Sequence, residues 1–466
     1  MIWKNNMRLN DGILRAVKHQ AANDIQTKKT AEEIENISKT VKVAVEKTTY
    51  DFSKSKSIVL NQNGKNRFVK QFPGLYSAES VLCQYIKQIL DRTFKVKYPN
   101  RNKSIRMLFD VLTAVKQMSD FTIFKFDFKD YFNSVSTVYV FNKFLKAELT
   151  DKFEIALIEN FAENTKFAYA GFSTSNVIAE IIAKRFDDAV KQAFSTKGVL
   201  FFERYIDDGI IVFNEYIEKS ECETVLQHSL ENIFFDYAIF NLPKCRTRLN
   251  QSKFCYISKR ILGSTPVSID YLGYEFCFSL EKNRKTRVEY GITNAKRDKY
   301  NKRIDDLISC YLDSKHPDYA NLELLRHRIA AFTSRTVYRT KRFRSEVWKV
   351  KGFISNYGEL RYLLNTLLLE KNTEIFLKNM INDAFVRAST TLPYFIVGSQ
   401  NKAGYSLFEN MKKNKTLLLV ADIGYDYQAL IKLCNKIGIN GIDKNGAKRG
   451  YGTLVREYLI KTKVGY

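Results

Sequence analysis

Two adjacent carboxylates, Asp207 and Asp208, interrupt an otherwise apolar stretch, with VLFFERYI (199–206) before them and GIIVF (209–213) after. Runs of this length and aromatic, β-branched character form strands, so the acidic pair marks the tip of a β-hairpin. Two like charges at such a tip repel and cost stability unless a cation sits there, and apolar flanks make a freely solvated turn less comfortable. The bland alternative is a plain acidic turn. A second segment shifts the balance: FKFDFKDYF (124–132) places Asp127 at the end of another aromatic strand, which could lie beside the hairpin tip in one sheet. Three convergent carboxylates suit two magnesium ions, one lowering the pKa of an attacking hydroxyl and one stabilising the leaving oxygens of a phosphate.

The charge balance agrees with a polyanionic partner. Lys and Arg total 75 against 50 Asp and Glu, a formal net charge of +25 over 466 residues, and nucleic acid is the first candidate for such a field. No apolar run approaches the roughly 18 residues a membrane span needs; the longest aliphatic stretch, 417–421, is core-sized. The opening MIWKNNMRLNDG is too polar for a secretion signal, and the expectation is a cytoplasmic protein. The seven cysteines are odd in number and scattered without a C-x-x-C pair, and the four histidines include no H-E-x-x-H. Any metal chemistry therefore falls to carboxylates.

Periodicity divides the chain into three parts. Residues 1–50 read as a helical packing extension, with apolar positions three and four apart in AEEIENISKTVKVAVEK. Residues 51–285 are mixed: short runs around Gly64, a helix carrying Val81, Leu82, Tyr85, Ile86, Ile89 and Leu90, the Asp127 strand, a helix over 138–145, an amphipathic helix over 176–194, and the acidic hairpin. Residues 286–466 are expected to be α-helical. Within them RTVYRTKRFRSEVWKVK (335–351) interleaves Arg339, Arg342 and Arg344 with Tyr338, Phe343 and Trp348. Cations for phosphate and rings for bases suit a strand of nucleic acid, and the duller reading is a solvated basic helix with its rings turned inward.

In register, these elements resemble the reverse transcriptases. FDFKDYF followed by RYIDDGIIVF looks like motifs A and C, and Ala170-Gly171-Phe172-Ser173-Thr174-Ser175-Asn176 opens a helix as motif B does. Asn241-Leu242-Pro243-Lys244 resembles motif D, Tyr271-Leu272-Gly273-Tyr274 the primer-grip hairpin, and YPNRNKS with Arg101 and Ser104 a fingers element of the bacterial enzymes. The resemblance implies an α+β fingers-palm fold, an antiparallel sheet with helices, followed by a helical thumb, and transfer of a deoxynucleotide to a primer hydroxyl with release of pyrophosphate. It implies that Asp127, Asp207, Asp208 and the Phe128 carbonyl hold two Mg2+ ions, with Mn2+ able to substitute. Phe132 matches the gate against a ribose 2′-hydroxyl, or else is a core aromatic. Lys244 is a candidate for the departing pyrophosphate, and Lys65, Arg67 and Arg101 for the triphosphate, where surface lysines are the plain alternative. Gly171 lets a backbone approach base or template, or is an ordinary loop glycine. Tyr271 and Gly273 contact the primer, or form a structural turn.

This chain departs from common reverse transcriptases in motif B, with Tyr169-Ala170-Gly171 for P-Q-G and Ser175-Asn176 for S-P, and it lacks the retron V-T-G element. The SNVIAEI helix start, compact palm and long C-terminal part look more like the abortive-infection and other defence-associated bacterial enzymes. That likeness implies anti-phage defence, with DNA made without a template from a protein tyrosine or copied from a noncoding RNA. The 27 tyrosines leave the priming residue open. The expected partners are dNTPs, DNA product and an RNA template or noncoding RNA, with no membrane; a homo-oligomer is compatible. A conventional mobile-element reverse transcriptase and a non-catalytic nucleic-acid scaffold are the alternatives.

Overall fold

Strand β3 (Thr122–Lys129) is the centre from which the first part of the chain is built. Its alternate residues Phe124, Phe126 and Phe128 are at most 1% exposed, so one face of the strand is wholly apolar and must be covered. Helix α8 (Ser175–Ala193) and helix α9 (Lys219–Phe234) supply the cover: Phe186 meets both Phe126 and Phe128, and Phe234 packs on Phe128 at 5.8 Å. With period two, this burial aims Lys125 and Asp127 at the opposite face.

The computed structural model describes residues 2–24, 29–62, 65–236, 244–313, 319–342, 345–397, 405–443 and 445–463. The chain divides into two compact units, Met1–Thr265 with Leu280–Thr286, and Pro266–Ser279 with Arg287–Tyr466. In the first, α1 (Ile2–Asn23), α2 (Ala31–Glu46) and α3 (Ala78–Phe94) pack together, and a Thr30/Glu33 capping box starts α2. The expected stripe of α3, from Val81 to Leu90, is buried. A two-stranded antiparallel hairpin joins β1 (Lys56–Gln62) to β2 (Lys65–Gln71). Helix α4 (Arg101–Val115) leads into β3. The main sheet runs β4 (Val199–Tyr205), β5 (Asp208–Phe213), β3, β6 (Arg248–Leu249), and β7 (Cys255–Ser258) also pairs with β3. The pairings of β3 are all antiparallel. The expected strand, helix and acidic hairpin are therefore present.

The second unit corrects one expectation. Residues 335–351 form a β-hairpin, β11 (Arg335–Arg342) with β12 (Ser345–Lys351), joined in parallel by β13 (Thr416–Leu419). Thr336, Val337, Thr340, Val347 and Val350 are β-branched and favour a pleated surface over a helix. The C-terminal part is thus α+β rather than all-helical. It also holds an antiparallel β8–β9 pair (Val267–Tyr271, Tyr274–Leu280) extended by β10 (Thr286–Ile292), together with helices α10 (Asn294–Leu312), α11 (Tyr319–Phe332) and α13 (Lys371–Arg387). Residues 266–279, expected with the 51–285 region, group with this unit. Among the described residues no helix is long and apolar enough to cross a membrane.

Candidate active site

The three aspartates are brought together by strand register. Asp127 lies directly opposite Asp208 across β3 and β5, and Asp207 precedes it in the turn. The Phe128 N–H donates to the Asp207 carbonyl at 3.0 Å. That bond makes 128/207 a hydrogen-bonded pair, so 127/208 is the intervening non-hydrogen-bonded pair, in which facing side chains come closest. Like charges directly opposite repel, and the effect is visible in Asp208. Burial first, then Asp207 and Asp127, push its carboxyl up to about 7 against the pull of the Lys125 ammonium. Lys125 stands 3.9 Å from Asp208 and is itself only 4% exposed.

Asp127 is 1% exposed, and both its oxygens are engaged. Asn250 Nδ2 donates to Oδ1 at 3.1 Å and Lys253 Nζ to Oδ2 at 2.8 Å, while the Asn250 N–H donates to the Asp127 carbonyl at 2.7 Å. Burial works against the Lys253 ammonium, but Asp127, with Asp208 and Asp207 behind it, raises its pKa above the ordinary lysine value. The donor set of carboxylate oxygens has the chemistry magnesium takes. Among the described residues, however, no group of three His, Cys, Asp or Glu side chains stands ready to hold a metal ion. In this arrangement lysine ammonium groups stand beside the carboxylates, and a divalent ion on Asp127 would displace Lys253.

The turn itself is held under tension. Ile206, the first residue of the two-residue loop, takes φ +61, a region that a β-branched side chain rarely enters. Arg204 holds it there: Nη1 donates to the Ile206 carbonyl at 2.7 Å. The same guanidinium forks onto Glu180 (2.7 Å) and Asp187 (2.9 Å), seven residues apart on one face of α8. All three groups are buried, and the Arg204 pKa is raised: burial opposes its charge, but Asp187 and Glu180 overcome that. Behind the pair, Gly209 leaves room for Phe126, whose ring a Cβ would overlap.

The loop that opens α8 is anchored to the β1–β2 hairpin. The Lys70 N–H donates to the Ala170 carbonyl at 2.8 Å, and Gly171 has φ +110 with its α-carbon so near Lys70 that a Cβ would overlap the Lys70 carbonyl oxygen. The close approach that requires a glycine here is thus made by the protein's own strand. Phe132 is half-buried, one residue after the buried Tyr131, in α5 (Tyr131–Ser134). Arg101 is the first residue of α4, whose Ser104 donates to Glu203 of β4 at 2.9 Å. Lys65 and Arg67 lie on β2 with side chains outside the described residues, as do residues 241–243; Lys244 is half-buried beside Cys245.

In the second unit, Leu272 (φ +51) and Gly273 (φ +83) form the tight turn between β8 and β9. The Tyr271 ring is fully buried, and the part-exposed residue of this turn is Leu272. Arg339 is paired with Asp422 and Glu346 and lies 5.4 Å from the Trp348 ring; the Arg342 side chain and the whole of Arg344 lie outside the described residues.

Lys253, Asn250, Lys125 and the Arg204–Glu180–Asp187 triad are absent from the sequence reading. Only Lys125 carried a signal, two residues before Asp127 on the same strand face. No family model matches the chain, and no curated protein is similar to it. Among solved structures, a telomerase from Candida albicans in complex with a fragment of telomeric RNA superposes with a TM-score of 0.39 and 12% identity. The superposition covers 83% of this chain and 62% of that one, so this chain spans less than two thirds of its length. It decides neither fold nor activity, which rest on the residues.

Proposed function

We propose that the chain is a DNA polymerase of reverse-transcriptase type, with β3–β7 as its palm, β1–β2 as part of its fingers and the second unit as thumb. The observation that carries this reading is Asp127 facing Asp208 across a non-hydrogen-bonded pair, with Asp207 in a clamped turn beside them. A structural turn gains nothing from three such acids; a nucleotidyl-transfer site requires them. Asp127, Asp207, Asp208 and the Phe128 carbonyl would hold two Mg2+ ions, which when bound acidify the primer hydroxyl and neutralise the departing pyrophosphate. Phe132 would exclude a 2′-hydroxyl, Arg101 would grip phosphate and Lys244 would meet the leaving group. The departures in motif B support a specialised role in anti-phage defence, template-independent or directed by a noncoding RNA.

Purified protein with Mg2+ is incubated with each dNTP singly and together, with and without RNA, and the products are digested with protease and nuclease. Incorporation abolished by Asp207→Ala supports the site; incorporation that survives it removes the assignment. Loss of product size on protease treatment identifies a protein primer, and strict RNA dependence identifies a templated enzyme. Unchanged ribonucleotide discrimination in Phe132→Ala would strip that residue of its gate.

A further inference from the structure

The second unit contains a cavity of about 200 Å³ that the polymerase reading does not use. Helix α11 contributes Arg326 and His327, Lys415 leads into β13, Lys436 follows the helix Tyr427–Asn435, and Tyr458 comes from the helix Tyr451–Lys461. Its lining has three cations, Arg326, Lys415 and Lys436, and no carboxylate. Glu323, 2% exposed and outside the lining, pairs with the Arg326 guanidinium at 3.1 Å and accepts from the Tyr394 hydroxyl at 3.3 Å, so it orients Arg326 while offsetting part of its charge, and the two lysines carry the remaining positive charge of the lining. His327 adds no charge near neutral pH: burial lowers its pKa to about 4, and its Nδ1 shares a hydrogen bond with the Tyr458 hydroxyl at 3.1 Å.

We infer that this cavity is a binding site for a phosphate monoester. Burial and the nearby Lys413 lower the Lys415 pKa, and a dianion bound beside it in the cavity would favour its charged form. The remaining donors suit the same ligand. Arg326 Nε donates to the Tyr405 hydroxyl at 2.5 Å, which aligns the guanidinium, and a phosphate offers the three acceptor oxygens that such a group and two ammonium ions satisfy. The volume lies below the ~300 Å³ at which pockets begin to enclose whole drug-sized ligands, so it fits a terminal phosphate rather than a complete nucleotide. Two sources carry that group, the 5′ end of a nucleic-acid strand and a free nucleoside monophosphate. The inference stands independently of the polymerase activity.

The test uses the full chain without divalent ions, titrated with a 3′-labelled short DNA strand bearing a 5′-phosphate, the same strand with a 5′-hydroxyl, and thymidine 5′-monophosphate. The phosphorylated strand should bind about tenfold more tightly than its hydroxyl twin. Lys415→Met and, separately, the exposed-rim Lys436→Met should erase that preference while leaving the hydroxyl strand's affinity and the melting temperature in place. Preference among strands with no binding of the monophosphate assigns the strand end; equal binding of the monophosphate assigns the free nucleotide. Equal affinity for the two strands with no monophosphate binding overturns the inference, as does a preference that persists in both variants.

Discussion

Asp208→Asn should make the metal-free protein more stable at alkaline pH while abolishing the proposed nucleotide incorporation. The Asp208 carboxyl rises from an ordinary 3.8 to about 7 in the folded chain, chiefly through burial and then through Asp207 and Asp127. Below both values the group is protonated in folded and unfolded states alike and contributes nothing. As pH rises past 3.8 the unfolded chain ionises first, so the folded state loses stability progressively until the folded group ionises near 7, and the full penalty remains above that. A gap of about 3 units at about 1.4 kcal/mol each sets an upper bound of about 4 kcal/mol at about pH 8, falling to about 1 kcal/mol at about pH 4.5. The side chain is 30% exposed, so roughly 2–4 kcal/mol is expected at the higher pH. Asparagine keeps the shape and removes the charge. Calorimetric melting in chelator should place the variant's first-unit transition roughly 5–10 °C above wild type at about pH 8, with the difference shrinking in acid. A variant no more stable than wild type at alkaline pH, or a gain independent of pH, would refute the argument that the three acids repel within a buried register pair.

Arg204→Met leaves Glu180 and Asp187 buried without their cation and should cost about 3–5 kcal/mol in unfolding experiments; Arg204→Lys should recover only part, because an ammonium cannot fork onto both acids and the Ile206 carbonyl. Gly171→Ala forces a Cβ onto the Lys70 carbonyl at a positive φ, and should lower stability by about 1–3 kcal/mol and increase hydrogen exchange at the Lys70 amide. Lys253→Met removes the ammonium paired with Asp127, so on the proposed two-metal reading the Mg2+ dissociation constant measured by calorimetry should fall several-fold. An unchanged constant would mean that the lysine and the ion do not compete.

The elements that sequence pattern revealed are those whose burial is dictated locally. FTIFKFDF is aromatic along its whole length, the acidic pair separates two apolar runs, and α3 and α8 repeat at helical spacing, so each signals its state without reference to a distant partner. The hairpin at 335–351 was misread because its Lys and Arg residues are good helix formers, and because pairing with β13, over 60 residues further on, cannot be seen in the segment itself. The site divides in the same way. Asp127, Asp207 and Asp208 are conspicuous as acids among hydrophobic residues. Lys253 and Glu180 are a lysine and a glutamate among many, distinguished only by the tertiary contact that brings one to Asp127 and the other to Arg204.

The contact between Lys70 and Ala170 ties the β1–β2 hairpin to the acidic turn through a chain of polar contacts. The loop it grips opens α8; further along that helix Glu180 and Asp187, two turns apart, grip Arg204, and Arg204 grips the Ile206 carbonyl. Each joint is a hydrogen bond or ion pair between regular elements or the turns that flank them. On the proposed polymerase reading, the strand pair expected to meet the triphosphate and the acids expected to hold the metal ions share this one chain of contacts.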